Sequence, residues 1–438
     1  MKIHILGICG TFMGGLAQIL QDSGHEVSGT DLQFYPPMSD QLNSMGITLI
    51  SGYESSNLPK ADLYVIGNAL SRGNESVEYI LNERLPFKSG PEILGEILKE
   101  KNVIAVSGTH GKTTTAYMIA HILKQNKKDI GYLVGGISPN FKDSASLGSD
   151  NIFVIEADEY DSAFFDKRSK FIHYNPFIAI INNIEYDHAD IFENVDEIIK
   201  SFSHMIRLMP SNGTIIINKN NHNIKKLLQK GYWSKLKTVD SIKASGDFNL
   251  IKKKEYMLKF DNKNFLLPLN IIGKHNYINA ITAIAACKEL KLSISSQIKA
   301  LSDFRGVSKR TDLVGEVDGV KVFDDFAHHP TAIKSSIDSI KETFTGKRLL
   351  TVFVPGSNSM RLGVHNAQLV PSLKKSDRAL VLTRFKSLKR FIGNNIKINV
   401  IETEAQIREY LDKENNFDIV LVLSNRNTEN ILRYIKNG

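Results

Sequence analysis

Between an apolar run at residues 102–107 and an apparent helix at 113–124 lies the segment Gly108-Thr109-His110-Gly111-Lys112-Thr113-Thr114. Glycines in such a turn let backbone N–H groups approach phosphate oxygens, and the helix N-terminus adds partial positive charge. A lysine in the place of Lys112 neutralises β- and γ-phosphate charge, and the Thr113 hydroxyl can ligate Mg²⁺. The strict phosphate-loop pattern asks for glycine at position 106, where this chain has Val106, so the shorter Gly-x-x-Gly-Lys-Thr form applies. A coincidental turn before a helix is the competing explanation, and the strand and helix on either side speak against it.

Two further clusters of polar groups follow apolar runs. Val154-Ile155-Glu156 ends one of them, at the edge where open α/β sheets bind ligands, and a carboxylate there can hold Mg²⁺ opposite Thr113. Glu156 is the expected ligand; Asp158, Glu159 and Asp161 can equally form a solvated acidic loop. Residues 178–183 run into Glu185, Asp187, His188 and Asp190. Because Mg²⁺ keeps several waters, one histidine and one carboxylate suffice, so His188 is the candidate ligand of a second ion. Asn276 and Asn279, three residues apart on one helix face, can read an adenine, although asparagines near a helix start are more often caps.

The elements that must carry these groups alternate as strand and helix. Residues 2–6 read as a strand, 7–15 as a glycine turn, the residues up to 20 as a helix, and 25–29 as a second strand ending at Asp31. Another strand at 61–66 and a helix at 91–99 close this region near Glu100. Strands at 102–107, 152–156, 178–182 and 213–218 then alternate with helices up to a long one at 276–290, which indicates a parallel sheet covered on both faces. A third set of strands at 320–324, 348–354, 379–382 and 419–423 follows Arg305 and Gly306. The expectation is α/β throughout, in domains of residues 1–100, 101–305 and 306–438.

Composition sets the outer limits. A chain of 438 residues exceeds what one core usually organises. Its 42% hydrophobic and 23% charged residues are those of an ordinary globular protein. The net charge of +8 comes from scattered lysines, which argues against nucleic acid and favours anionic small substrates only weakly. Cys9 and Cys287 are too few for a disulfide framework or a structural zinc site. The opening MKIHILGICG has neither a basic region nor a long apolar one, and no apolar stretch reaches membrane-spanning length, so a cytoplasmic protein is expected.

The glycines of the first turn, Gly7, Gly10 and Gly14, with Asp31 ending the second strand, invite comparison with a dinucleotide fold. The spacing is Gly-x-x-Gly-x-x-x-Gly, and the fingerprint's second glycine would fall at Cys9. A dehydrogenase would also leave Lys112 and Glu156 without a role. A non-enzymatic nucleotide-binding regulator remains a rival from another class.

Taken in order, the phosphate loop, Glu156, His188 and the Gly273-Lys274-His275-Asn276 to Asn279 segment resemble the Mur ligase superfamily over essentially the whole chain. Further matches are Phe304-Arg305-Gly306 to Arg310 and Phe323-Asp324-Asp325 to Thr331. The resemblance implies a Rossmann-like N-terminal domain, a central P-loop ATPase and a Rossmann-like C-terminal domain for the peptide or amine substrate. It implies that Arg310 and Asp325 contact ATP along with residues 108–114, Asn276 and Asn279, and that His328 is an active-site histidine. It implies a UDP-sugar on Gly10, Thr11, Phe12, Met13, Asp31 and Ser71. ATP and two Mg²⁺ ions are the implied cofactors, and Lys112, Glu156, His188 and His328 the implied catalytic groups.

Tyr35-Pro36-Pro37-Met38, Gly67 to Asn74, Glu156 to Lys170 and Gly356-Ser357-Asn358 to His365 resemble the branch that joins a ready-made tripeptide, L-Ala-γ-D-Glu-meso-diaminopimelate, to UDP-N-acetylmuramate in peptidoglycan recycling. The nearest alternative is the branch that adds L-alanine in peptidoglycan biosynthesis, whose first turn is Gly-x-Gly-Gly-x-Gly-Met where this chain has Cys9, Thr11 and Phe12. Two departures stand out. Ser203 occupies the place of the carbamylated lysine that several relatives use, with Lys200 nearest, and the Asp-Asn-Pro-Arg motif that reads diaminopimelate is absent. Asn358 and Arg361 are the candidates for peptide contact. The implied partners are these small substrates, without nucleic acid or membrane, in a monomer or weak homo-oligomer.

Overall fold

The computed structural model describes residues 1–393, 395–414 and 416–436. The chain partitions into two compact units, one of Met1–Glu185, Val195–Pro268 and Ile278–Phe304, the other of Tyr186–Asn194, Leu269–Tyr277 and Arg305–Gly438. Among the described residues the main sheets have five, ten and six strands. The parallel-rich α/β architecture read from the alternating apolar runs is the one found.

The five-stranded sheet of the first unit is parallel, in the order Thr48–Ser51, Glu26–Asp31, Lys2–Leu6, Leu63–Ile66, Phe87–Ser89. Lys2–Leu6 is buried along four of its five residues because it pairs on both sides. The strand order reverses at this central strand, so its C-terminal end opens into a crevice. The glycine turn and the helix Thr11–Asp22 stand there.

In the ten-stranded sheet, Asn102–Ser107 lies between Ile152–Glu156 and Ile178–Ile181, parallel to both. Val106 pairs with Glu156, and Ser107 with Ile181. Three strand ends therefore deliver Gly108, Glu156 and Asn182 to one level of one sheet edge. The helix Lys112–Gln125 that follows the turn is buried from Thr113 to Leu123.

Both flanks of this sheet turn antiparallel. Gly131–Leu133 pairs with Ala145–Ser146 at one side, and Phe248–Lys252, Tyr256–Phe260 and Lys263–Leu266 form a meander at the other. The sequence reading took in the parallel strands alone, since the lysines of the meander interrupt any apolar run. Beyond the strand Lys235–Asp240, the buried Asp240 carboxylate accepts the N–H groups of Ile242 at 2.8 Å, Lys243 at 3.0 Å and Ser245 at 3.0 Å, with Asn220 Nδ2 at 3.0 Å. A separate hairpin, Asp161–Ala163 with Asp166–Ser169, follows Glu156.

The second unit holds the six-stranded sheet. Asp312–Val317 runs antiparallel to Val320–Asp325, and Ile419–Leu423, Leu349–Phe353, Arg378–Leu382 and Ile398–Ile401 continue it in parallel. Helices bury a core on each face, Ile333 and Ile337 on one and Ile407 and Ile431 on the other. No helix among the described residues is long and apolar enough to cross a membrane.

Candidate active site

The phosphate loop is held from the neighbouring strand end. Asn183 accepts the His110 N–H through Oδ1 at 2.8 Å and donates to the His110 carbonyl at 3.2 Å, while its own carbonyl accepts the Thr109 N–H at 3.2 Å. Asn182 Nδ2 donates to the Thr115 hydroxyl at 3.2 Å. Gly111 opens the helix in a left-handed conformation, φ +79°, and a Cβ there would lie 2.7 Å from Asn279 Oδ1. Only glycine allows that approach without a shift. Asn279 thus lies against the loop.

Thr113 donates its hydroxyl to Glu156 Oε1 at 2.8 Å, and Gly135 donates its N–H to Glu156 Oε2 at 2.9 Å. A hydroxyl and a carboxylate oxygen side by side at a helix start form the all-oxygen donor set that suits a hard divalent cation. Lys112 Nζ lies 3.0 Å from Glu159 Oε2 and 3.6 Å from Asp158 Oδ1. Burial alone would lower the Lys112 pKa, but Glu159, Asp158 and Glu156 outweigh it and raise it. Asp158 likewise resists the raising effect of burial, because Lys170 and Lys112 hold it below the usual carboxylate range.

The acidic residues after Glu156 are therefore not a solvated loop throughout. Glu159 is 2% exposed, because the hairpin that follows folds it back against Lys112. Sequence reasoning missed this. It also missed Lys170, 5% exposed, whose Nζ is 3.3 Å from Asp158 Oδ2 and donates to the Tyr160 hydroxyl at 3.1 Å. The sequence signal was the basic stretch Lys167-Arg168-Ser169-Lys170 soon after an acidic run.

In the N-terminal turn, Gly10 caps the helix Thr11–Asp22 without a side-chain bond. Asp31 accepts the N–H groups of Cys9 at 2.9 Å and Leu32 at 2.8 Å, and the Tyr53 hydroxyl at 3.4 Å. It ties the turn together from the second strand. Phe12 is half-buried and Met13 buried, whereas Thr11 and Ser71 are exposed.

The second unit gathers another group. His188 has φ +52°, and its carbonyl accepts the N–H of Ile191 at 2.8 Å and of Phe192 at 2.9 Å. Asp187 beside it accepts the Ser359 hydroxyl at 2.9 Å and lies 3.9 Å from His328 Nε2. His328 Nδ1 is 3.0 Å from the Phe326 carbonyl, an acceptor only, so Nδ1 carries the proton and Nε2 faces Asp187. Asp325 is buried and accepts the Thr311 hydroxyl at 2.6 Å, the Ser336 hydroxyl at 3.0 Å and the Ala327 N–H at 2.7 Å. Arg310 stacks over Phe326 at 5.0 Å. Asn358 Nδ2 donates to Asp190 at 2.9 Å, and Arg361 is exposed. Asn276 donates to the Ile272 carbonyl at 2.7 Å. Ser203, in the first unit, is buried and donates to the carbonyl of Lys200.

The structure thus brings Gly108 to Thr114, Glu156 and Asn279 together in the first unit, with Gly10 to Met13, Asp31 and Ser71 on the same unit's other sheet. His188, Asn276, Arg310, Asp325, His328, Asn358 and Arg361 belong to the second.

The phosphate loop stands on the middle of three α/β sheets in chain order, and sequence comparison assigns each of the three to one family. The chain belongs to the Mur ligase family: the family, catalytic domain matches residues 2–102, the middle domain 106–287 and the glutamate ligase domain 309–426. It is 44% identical over 390 residues to the UDP-N-acetylmuramate–L-alanyl-gamma-D-glutamyl-meso-2,6-diaminoheptandioate ligase of Escherichia coli K12, covering 87% of this chain and 85% of that one. It is 34% identical to the UDP-N-acetylmuramate–L-alanine ligase of Dictyoglomus turgidum, over 81% of this chain and 75% of the relative. A crystal structure of a murein peptide ligase from Psychrobacter arcticus 273-4 superposes with a TM-score of 0.78 at 38% identity, covering 99% of this chain and 98% of that one.

Proposed function

We propose that this protein is an ATP-dependent amide ligase that joins L-Ala-γ-D-Glu-meso-diaminopimelate to UDP-N-acetylmuramate, in peptidoglycan recycling. The observation that carries the choice of acceptor is the 44% identity to the relative named for the tripeptide, against 34% to the one named for L-alanine. In this reading residues 1–100 bind the sugar nucleotide, 101–305 bind ATP, and 306–438 bind the peptide. The chain works in the cytoplasm, where both nucleotides are found, as a monomer or weak homo-oligomer.

The lactyl carboxylate of the sugar nucleotide attacks the γ-phosphorus of ATP, the bond to the bridging oxygen breaks, and ADP leaves an acyl phosphate. Residues 108–114 cradle the phosphates through backbone N–H groups, and Lys112 offsets the charge that builds on the transferring phosphoryl. Thr113 and Glu156 would hold one Mg²⁺ and His188 a second; bound there, the ions supply charge neutralisation. The alanine amine of the tripeptide then attacks the acyl carbon, its proton leaves, and phosphate departs as the amide forms. His328 Nε2, which faces Asp187 while Nδ1 donates to the Phe326 carbonyl, is the nitrogen that takes that proton. Asn276, Asn279, Arg310 and Asp325 contact ATP, and Asn358 and Arg361 the peptide.

The test is phosphate release with ATP, Mg²⁺ and UDP-N-acetylmuramate, comparing the tripeptide with L-alanine. Faster release with the tripeptide is expected. A preference for L-alanine overturns the acceptor, and release with neither overturns the ligase.

A further inference from the structure

One buried lysine stands between the two nucleotide sites of the first unit, and the reaction above gives it no task. Lys170 Nζ is 3.3 Å from Asp158 Oδ2, while Lys112 Nζ is 3.6 Å from Oδ1 of the same carboxylate. The two ammonium groups thus share one anion, one oxygen each. Lys170 Nζ also lies 4.8 Å from the ring centroid of Phe12 and 4.1 Å from that of Tyr160. Phe12 lies in the first turn of the helix Thr11–Asp22 that follows the glycine turn, and its ring is wedged against Gly90, where a Cβ would come within 2.8 Å of Phe12 Cε1. A continuous line of contact therefore runs from the N-terminal turn through Phe12, Lys170 and Asp158 to the phosphate-loop lysine.

We infer that Lys170 is a positioning residue that couples sugar-nucleotide binding at the N-terminal turn to ATP binding at Lys112, by competing with Lys112 for Asp158. This rests on the ligase reading, which assigns the two turns their ligands. The competition has a definite sign. Each contact that holds Lys170 closer to Asp158 weakens the hold of that carboxylate on Lys112, leaving Glu159 at 3.0 Å as its main protein partner and more of the ammonium's charge to the phosphates. A sugar nucleotide seated over Phe12 bears on Lys170 through that ring. ATP then binds better, and by linkage the sugar nucleotide binds better in the presence of ATP. Filling the two sites in concert limits futile hydrolysis.

The experiment measures dissociation constants by calorimetry, using Mg²⁺ and the non-hydrolysable analogue AMP-PNP with and without UDP-N-acetylmuramate. In the unmodified protein UDP-N-acetylmuramate should tighten AMP-PNP binding on the order of tenfold, within the usual range of site coupling. Lys170→Met should reduce that ratio to near one and weaken AMP-PNP alone, because Asp158 then turns wholly to Lys112. Lys170→Arg, which keeps the charge and can stack on Phe12, should retain most of the ratio. A purely structural lysine would not move the ratio.

Equal ratios in the unmodified protein and Lys170→Met overturn the inference, as does a ratio of one in the unmodified protein. Should Lys170→Met fail to fold, Phe12→Leu keeps the lysine and removes the ring; an unchanged ratio there overturns the inference too. Coupling without any amide product sinks the ligase reading alone, and product without coupling sinks this inference alone.

Discussion

Lys112→Met tests the central pair of the phosphate loop in two independent currencies, stability and turnover. Lys112 and Glu159 lie 3.0 Å apart with side chains 11% and 3% exposed, so screening by solvent is weak. At an effective dielectric near 20 the attraction is about 5 kcal/mol, and breaking a buried pair while leaving one charge behind costs about 3–5 kcal/mol. For a unit of this size that is a fall in Tm on the order of 10 °C. Turnover should fall by at least about 100-fold, the usual loss when one preorganised charge leaves the transition state. The double variant Lys112→Met with Glu159→Gln removes both charges, and should recover most of the Tm and none of the turnover. Differential scanning fluorimetry and phosphate release read the two effects, and calorimetry should find UDP-N-acetylmuramate binding to both variants little changed. A single variant as stable as the unmodified protein would refute the pair. A double variant that turns over would refute the role of Lys112 in phosphoryl transfer.

Three further outcomes follow from the same geometry. Thr113→Val removes the hydroxyl that meets Glu156 at 2.8 Å while keeping the side-chain volume, so the Mg²⁺ concentration for half-maximal phosphate release should rise by about tenfold. Gly111→Ala places a Cβ 2.7 Å from Asn279 Oδ1 at φ +79°; AMP-PNP binding should weaken by about tenfold or more, with stability lowered by about 1–2 kcal/mol. Asp240 has its pKa depressed: burial pulls it upward, but the N–H groups of Ile242, Lys243 and Ser245 and the Asn220 amide outweigh that. A depressed folded-state pKa gives stability that is present above the unfolded value, about 3.9, and is lost as pH falls through the folded one. Asp240→Asn should therefore cost about 2–3 kcal/mol in urea denaturation at pH 7, with the difference from the unmodified protein shrinking in strong acid.

Much of this was legible in the chain because apolar runs and glycine turns carry local signals. The strands ending at Ser107, Glu156 and Ile181 are short, almost wholly apolar, and followed by polar clusters, so sheet edge and chemistry were read together. The meander Phe248–Lys252, Tyr256–Phe260 and Lys263–Leu266 was not, since Lys252, Lys259 and Lys263 break its pattern and its pairing is non-local. The environments of Glu159 and Lys170 were hidden for a related reason. An acidic run reads as solvated unless its counter-charges are known, and here these come from Lys112, 47 residues earlier, and from a hairpin that brings Lys170 back 12 residues after Asp158. The assignment of His188 and Asn276 to a different compact unit from Glu156 and Asn279 is likewise a property of tertiary contacts that no spacing encodes.

The meander also closes one end of the ten-stranded sheet in a way that bears on how the protein survives at high concentration. Its last strand, Lys263–Leu266, has one side paired with Tyr256–Phe260 and lies last in the strand order. An outermost strand offers backbone donors and acceptors to any passing chain, and the exposed Leu266 adds an apolar lure. Its brevity, four residues, and the exposed Lys263 and Asn264 at its start work against that recruitment. Lys263, one of the lysines that obscured the meander in the sequence, thus also disfavours edge-to-edge growth of the sheet.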